Sequence, residues 1–235
     1  MARRASAVMG MFPLSTVLFP DGALPLHVFE PRYLTLVRDC LAGGAGGGVA
    51  SVLGAGRDVW TPVDRSFGVV LISRGSEVGG GDERFDLGTV ARIERMTEAG
   101  EGRRYVLAHG LERIEVVAWL DDDPYPRAEV EPRPSVTAIG DTAALSAAKT
   151  AVRRLRSLLS EWGDMPALPF ELPLARQADT ASFQLCELAP LSPLDRQNLL
   201  SIDAVSDRLA LLVELCEATA RDVATLLAEG GGDSD

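Results

Sequence analysis

The chain has 235 residues, 46% of them hydrophobic and 24% charged, which is the composition of a folded protein of one or two domains rather than of a disordered one. Its 34 acidic and 23 basic residues give a formal net charge of −11, a balance that disfavours nucleic acid because phosphate binding draws on clustered Lys and Arg. Lys149 is the only lysine and follows Ala148, so a P-loop is excluded, and any Schiff-base or Ser–Lys chemistry would have to use that one residue.

In chain order, residues 1–10 are expected to form a flexible N-terminus. Arg3 and Arg4 precede a stretch interrupted at Pro13 with no small-residue cleavage pattern, a poor signal peptide. With no run of about 20 apolar residues, the expectation is a soluble cytoplasmic protein without membrane contact. Phe12–Leu14 and Val17–Phe19 read as strands leading into a Pro20-Asp21-Gly22 turn. Leu24, Leu26 and Val28 alternate with Pro25, His27 and Phe29, the period of a half-buried strand. Pro31 then opens a short helix carrying Tyr33, Leu34, Val37 and Leu41, ended by the glycines from Gly43 to Gly48.

Strand-like runs follow at 67–73, 87–93, 104–109, 113–119 and 125–130, separated by Gly-rich or acidic turns. Short strands mostly without intervening helices favour a small barrel or closed sheet over a parallel α/β fold. Pro132 and Pro134 mark residues 131–140 as a linker, since two prolines in three residues do not suit a central strand. From there the pattern is helical. Asp141 is a candidate N-cap for a helix to about Trp162, Ser192-Pro193 a strong helix start, and Asp203 to Glu229 a final helix. Residues 230–235 read as a disordered tail. The expected fold is therefore α+β, with a β domain at 11–130 and a helical bundle at 141–229.

Few residues suggest chemistry. Cys40, Cys186 and Cys216 lack a C-x-x-C pair and read as buried free thiols. His27 and His109 have no metal-ligand spacing, and Asp121, Asp122 and Asp123 lack the calcium-loop glycine, so no metal or cofactor is expected. Ser146-Ala147-Ala148-Lys149 matches S-x-x-K without its companion elements, and no catalytic residue is assigned. Glu30 and Arg32 flank Pro31 either as a structural ion pair or as a charged lip beside Phe29 and Tyr33, suited to gripping a peptide. Trp60, in a loop-like segment, is either a core or a contact residue.

The run from Met11 to Tyr33, MFPLSTVLFPDGALPLHVFEPRY, resembles the opening of the Lon protease N-terminal domain family, which reads P-L-F-P-L, L-F-P-G and L-P-L-x-I-F-E-x-R-Y. Phe67-Gly68-Val69-Val70-Leu71, Gly88 to Ile93, His109-Gly110-Leu111-Glu112-Arg113 and Leu191 to Leu200 extend the similarity to nearly the whole chain. The resemblance implies a PUA-like β-barrel followed by a helical bundle, and a free-standing, non-catalytic protein that binds unfolded or tagged polypeptide. Its partners would be polypeptide substrates or a protease or chaperone, which it would serve as adaptor or regulator in proteolysis. The Gly-rich stretch from Gly43 to Asp64 stands where the family has a shorter connection. Expected binding residues are Phe19, Phe29, Glu30, Arg32, Tyr33 and Trp60, with a groove between barrel and bundle as a second place, and the net charge adding selectivity against acidic segments. The alternative is a PUA-like nucleic-acid module, which arginines clustered on one face would favour.

Overall fold

The computed structural model describes residues 6–43, 63–75, 83–100, 102–136, 141–161, 166, 168–169 and 171–230. Trp60, most of the Gly-rich stretch and the 231–235 tail lie outside them. The chain divides into two compact units, Met1–Pro134 and Ser135–Asp235.

The first unit holds β1 (Ala7–Leu14), β2 (Ala23–Val28), α1 (Pro31–Leu41), β3 (Ser66–Arg74), β4 (Glu83–Glu98), β5 (Arg104–Leu120) and β6 (Arg127–Pro132). The strands form one sheet in the order β2-β5-β4-β3-β1-β6, and β6 pairs again with β5. Among the described strands pairing thus makes a circuit through β5, β4, β3, β1 and β6, with β2 attached to β5 alone. Among the described strands only β1 and β3 run parallel.

β1 is buried on both faces. Met9 and Met11 join a cluster with Val90, Ile114 and Val130. Phe12 and Leu14 join another with Leu24, Val28, Phe67 and Ile93. Helix α1 covers the second cluster with Tyr33, Leu36, Val37 and Cys40; of the expected face Tyr33 and Val37 are buried, whereas Leu34 and Leu41 are only partly so.

Several expectations change. β1 begins at Ala7, inside the segment expected to be flexible. Residues 17–19 are buried but belong to no strand. The runs 104–109 and 113–119 are one strand, because Gly110 serves close packing rather than a turn: a Cβ there would run into the carbonyl oxygen of Phe19. β6 continues to Pro132, a strand end where the missing N–H costs little, and Arg133 N–H donates to the Arg113 carbonyl at 2.9 Å.

The second unit holds α2 (Asp141–Glu161), α3 (Ala178–Leu188), α4 (Pro193–Ser201) and α5 (Val205–Gly230). Ser192 caps α4 as its sequence suggests, its hydroxyl accepting from Asp195 N–H at 3.2 Å. α3 is an addition to the expected helices. The core includes Val152, Leu155, Phe183, Leu199, Leu209 and Leu212.

Arg208 is wholly buried within this core. It donates to Asp179 at 2.8 Å, Ser182 Oγ at 2.6 Å, Ser135 Oγ at 2.9 Å and the Ile202 carbonyl at 2.9 Å. Its guanidinium carbon stands 3.7 Å from the Phe183 ring centroid. Val136 makes a β-bridge with Ala204, tying the start of the unit to the turn before α5.

Candidate functional site

The residues singled out around the first motif gather at β2, but not all on its surface. Phe19 is 0% exposed. Its segment is pinned by Thr89 Oγ1, which donates to the Leu18 carbonyl at 2.6 Å, and by Gly22 N–H, which donates to the Phe19 carbonyl at 3.0 Å. A side chain so enclosed is core, and Phe19 is removed from the binding set.

Tyr33 is 3% exposed and stacks on Phe12 with ring centroids 4.0 Å apart. The Arg32 guanidinium lies 4.5 Å from the Tyr33 centroid, and Arg32 Nε donates to Glu30 at 3.1 Å. The Glu30–Arg32 pair is thus a clamp on the start of α1, both side chains largely covered. Phe29 differs: it is 51% exposed. Beside it lies a pocket of about 270 Å³ with Phe12, Leu14, Leu24 and Tyr33 in its walls and Glu30 among its polar groups. Of the six expected residues, then, Phe29, Glu30 and Tyr33 share one pocket, Arg32 supports it, Phe19 is elsewhere, and Trp60 is outside the described residues.

Among the described residues β2 is the end strand of the sheet order, paired with β5 on one side only. Leu24 and Val28 point into the core, whereas Ala23, Pro25 and His27 are exposed. Gly110 N–H donates to Gly22 O at 2.8 Å, which by the alternation of antiparallel pairing directs the backbone groups of Ala23, Pro25 and His27 away from β5. Pro25 has no N–H to offer there, and an edge is where a strand proline is tolerated.

The outer face of the same strands carries a second, shallower depression of about 350 Å³. Pro25, His27, Tyr105, Leu107, Thr97 and Arg95 line it. His27 stacks on Tyr105 at 4.8 Å and meets Phe29 at 5.9 Å. Tyr105 is 57% exposed. Tyr105, Leu107 and Arg95 were missed in the sequence because they meet only through the β4–β5 register, which sets Arg95 opposite Leu107 and Thr97 opposite Tyr105. The turn signal at Gly100 and Gly102 was the clue that could have found it.

The described thiols are held in their protonated form. Burial, reinforced by the Asp39 carboxylate, pushes the Cys40 thiol up to about 12, and burial does the same to Cys186 and Cys216. A protonated thiol is a poor nucleophile. Lys149 Nζ donates to the Leu172 carbonyl at 3.4 Å rather than to Ser146. His109 Nε2 lies 3.4 Å from Asp21, and Asp122 pairs with Arg84 at 3.0 Å. Among the described residues no group of three or more His, Cys, Asp or Glu is placed to hold a metal, and no helix is long and apolar enough to cross a membrane.

The chain is similar in sequence to Lon proteases. The chain is 26% identical over 168 residues to the Lon protease of Anaeromyxobacter dehalogenans, a match covering 71% of this chain and 18% of that protease. It is 31% identical over 126 residues to Lon protease 2 of Myxococcus xanthus, covering 53% of this chain and 13% of the relative. The match therefore spans less than a fifth of either relative's length. Among solved structures, the crystal structure of the Lon N-terminal domain protein from Xanthomonas campestris aligns at TM-score 0.56 with 28% identity, over 88% of this chain and 98% of that one. The N-terminal domain of Mycobacterium avium complex Lon protease shares the fold at TM-score 0.57, with 13% identity over 90% of this chain and 98% of that one. The family model for the substrate-binding domain of ATP-dependent protease La (LON) matches residues 8–218, and the chain belongs to that family.

Proposed function

We propose that this chain is a non-catalytic module that binds unfolded or tagged polypeptide at β2 and acts as an adaptor or regulator in proteolysis in the cytoplasm. On this reading the circuit of strands is a PUA-like barrel, residues 141–229 are the bundle, and the partners are polypeptide substrates together with a protease or chaperone. The observation that carries it is Phe29, a half-exposed aromatic ring at the mouth of an apolar pocket, in a chain whose family is named for substrate binding. An exposed ring beside an apolar cavity offers an unfolded chain what folded surfaces lack, and aromatic anchors of this sort dominate binding energies.

The test uses β-casein, an unfolded protein, titrated against wild type and Phe29→Ser. Because Phe29 is not part of the core, the variant should fold normally. Its affinity is expected to fall about tenfold, the size of an anchor residue's contribution. Equal binding by the two proteins would remove the pocket as the site; no binding by wild type would remove the polypeptide reading itself.

A further inference from the structure

We propose that the outer face of β2, β5 and β4 selects extended polypeptide segments in which an aromatic or branched apolar residue stands two or three positions from an Asp or Glu, a specificity that rests on the polypeptide reading above. The apolar half of the face is Pro25, His27, Tyr105 and Leu107. The cationic half is Arg92 and Arg95 on β4, both exposed. The register sets Arg95 opposite Leu107, which is itself opposite Pro25, and sets Arg92 opposite His109 in the next row.

These two arginines differ from others in the sheet unit. Arg32, Arg84, Arg104 and Arg133 are each held by an acid, Glu30, Asp122, Glu98 and Glu115 respectively. Arg92 and Arg95 make no ion pair with any described residue, and Glu94, which stands in the bulge between them, pairs with neither. Two guanidinium groups with no ion-pair partner among the described residues, against the single carboxylate of Glu94 between them, give this face a local balance opposite in sign to the net charge of −11. The local field governs, because at physiological salt charges beyond about 8 Å are largely screened. The expectation that net charge turns away acidic segments therefore reverses at this face.

Spacing sets the segment. Diagonal neighbours on adjacent strands, such as Tyr105 and Arg95, stand roughly 7 Å apart, and an extended chain advances about 3.3 Å per residue. An anchor side chain over Tyr105 and Leu107 thus brings a carboxylate two or three residues away to a guanidinium. Single-stranded nucleic acid also stacks on aromatic rings beside arginines, but two free arginines neutralise few phosphates, so polypeptide is favoured.

The experiment measures fluorescence anisotropy with labelled, C-terminally amidated peptides that carry one Trp and one Leu in a Ser-rich background, with two Glu or with two Gln beside them. Amidation leaves the Glu side chains as the only difference in carboxylates. The full chain is expected to bind the Glu peptide about fivefold more tightly, the size of two exposed ion pairs, and the ratio should approach one in about 0.5 M salt. The double variant Arg92→Gln/Arg95→Gln, checked for folding by thermal unfolding, should bring the ratio to one, and Arg95→Lys with Arg92 intact should keep part of it. A ratio of one in wild type, or an undiminished ratio in the double variant, overturns the proposal. So does displacement of the Glu peptide by a single-stranded oligonucleotide at lower concentration than by unlabelled peptide. If neither peptide binds, the polypeptide reading falls together with this one; if both bind equally, only the charge selection falls.

Discussion

Cys40 Sγ donates to the Ser66 carbonyl at 3.3 Å and is shielded from solvent, as are Cys186 and Cys216. All three thiols keep their protons to about pH 12 in the folded chain, against a usual value of 9.0. Tyr125 shifts the same way, pushed up to about 12 by burial and by the Asp39 carboxylate to which its hydroxyl donates at 3.2 Å. In the unfolded chain these groups ionise near their ordinary values. Above that point the unfolded state binds fewer protons than the native one, so stability is intact at neutral pH and falls as pH rises from about 9 towards 12. The expected loss is about 1 kcal/mol per thiol at pH 10. Urea midpoints at neutral pH and at pH 10 measure it, and Cys40→Ala should lessen the drop. An identical midpoint at the two pH values contradicts this account.

At the scale of elements, β2 is the strand on which the proposed site is built, and its edge is guarded. Pro25 interrupts the outward row of donors, and an unpaired strand edge is otherwise a template for pairing with another chain. Pro25→Thr restores an N–H and a β-favouring side chain. It should increase self-association, seen as concentration-dependent light scattering, whereas a variant as monodisperse as wild type would show that the proline guards nothing. Elements were legible where local chemistry decides them: Ser192-Pro193-Leu194-Asp195 announces α4, and the alternation from Leu24 to Val28 announces β2. They were illegible where tertiary packing decides. Gly110 looks like a turn signal but allows the Phe19 carbonyl to approach a continuous strand. Phe19 stands one residue and Phe29 two residues before a proline, and only the fold distinguishes the core ring from the exposed one. Arg92, Arg95, Tyr105 and Leu107 form a surface only once the β4–β5 pairing is known.

At the scale of the molecule, each unit has its own core and its own vulnerable point. In the helical unit that point is Arg208, whose hydrogen bonds join α3, α5, the turn before α5 and Ser135. Arg208→Ala removes them and opens a cavity against Phe183. Asp179 is 38% exposed on its side chain and keeps some solvation, so the cost is placed at about 3 kcal/mol, the low end for a broken buried pair. Hydrogen exchange should report it as lost protection in α3 and α5, with β1, β3 and β4 retaining theirs. A uniform loss over both units would contradict separate cores.

The attachment of β2 to β5 alone has one more consequence. Strands in the circuit each answer to two neighbours, and β5 to three, so a change in one must be matched in the others. β2 answers to one neighbour and to the core through Leu24 and Val28, which leaves Ala23, Pro25, His27 and Phe29 free to diverge. Residues 23–29 should therefore be exchangeable as a cassette: grafted from a relative with Leu24, Leu26 and Val28 kept, they are expected to leave the scaffold folded and to change only the contacts made by Pro25, His27 and Phe29, while Arg92 and Arg95 of the host stay in place.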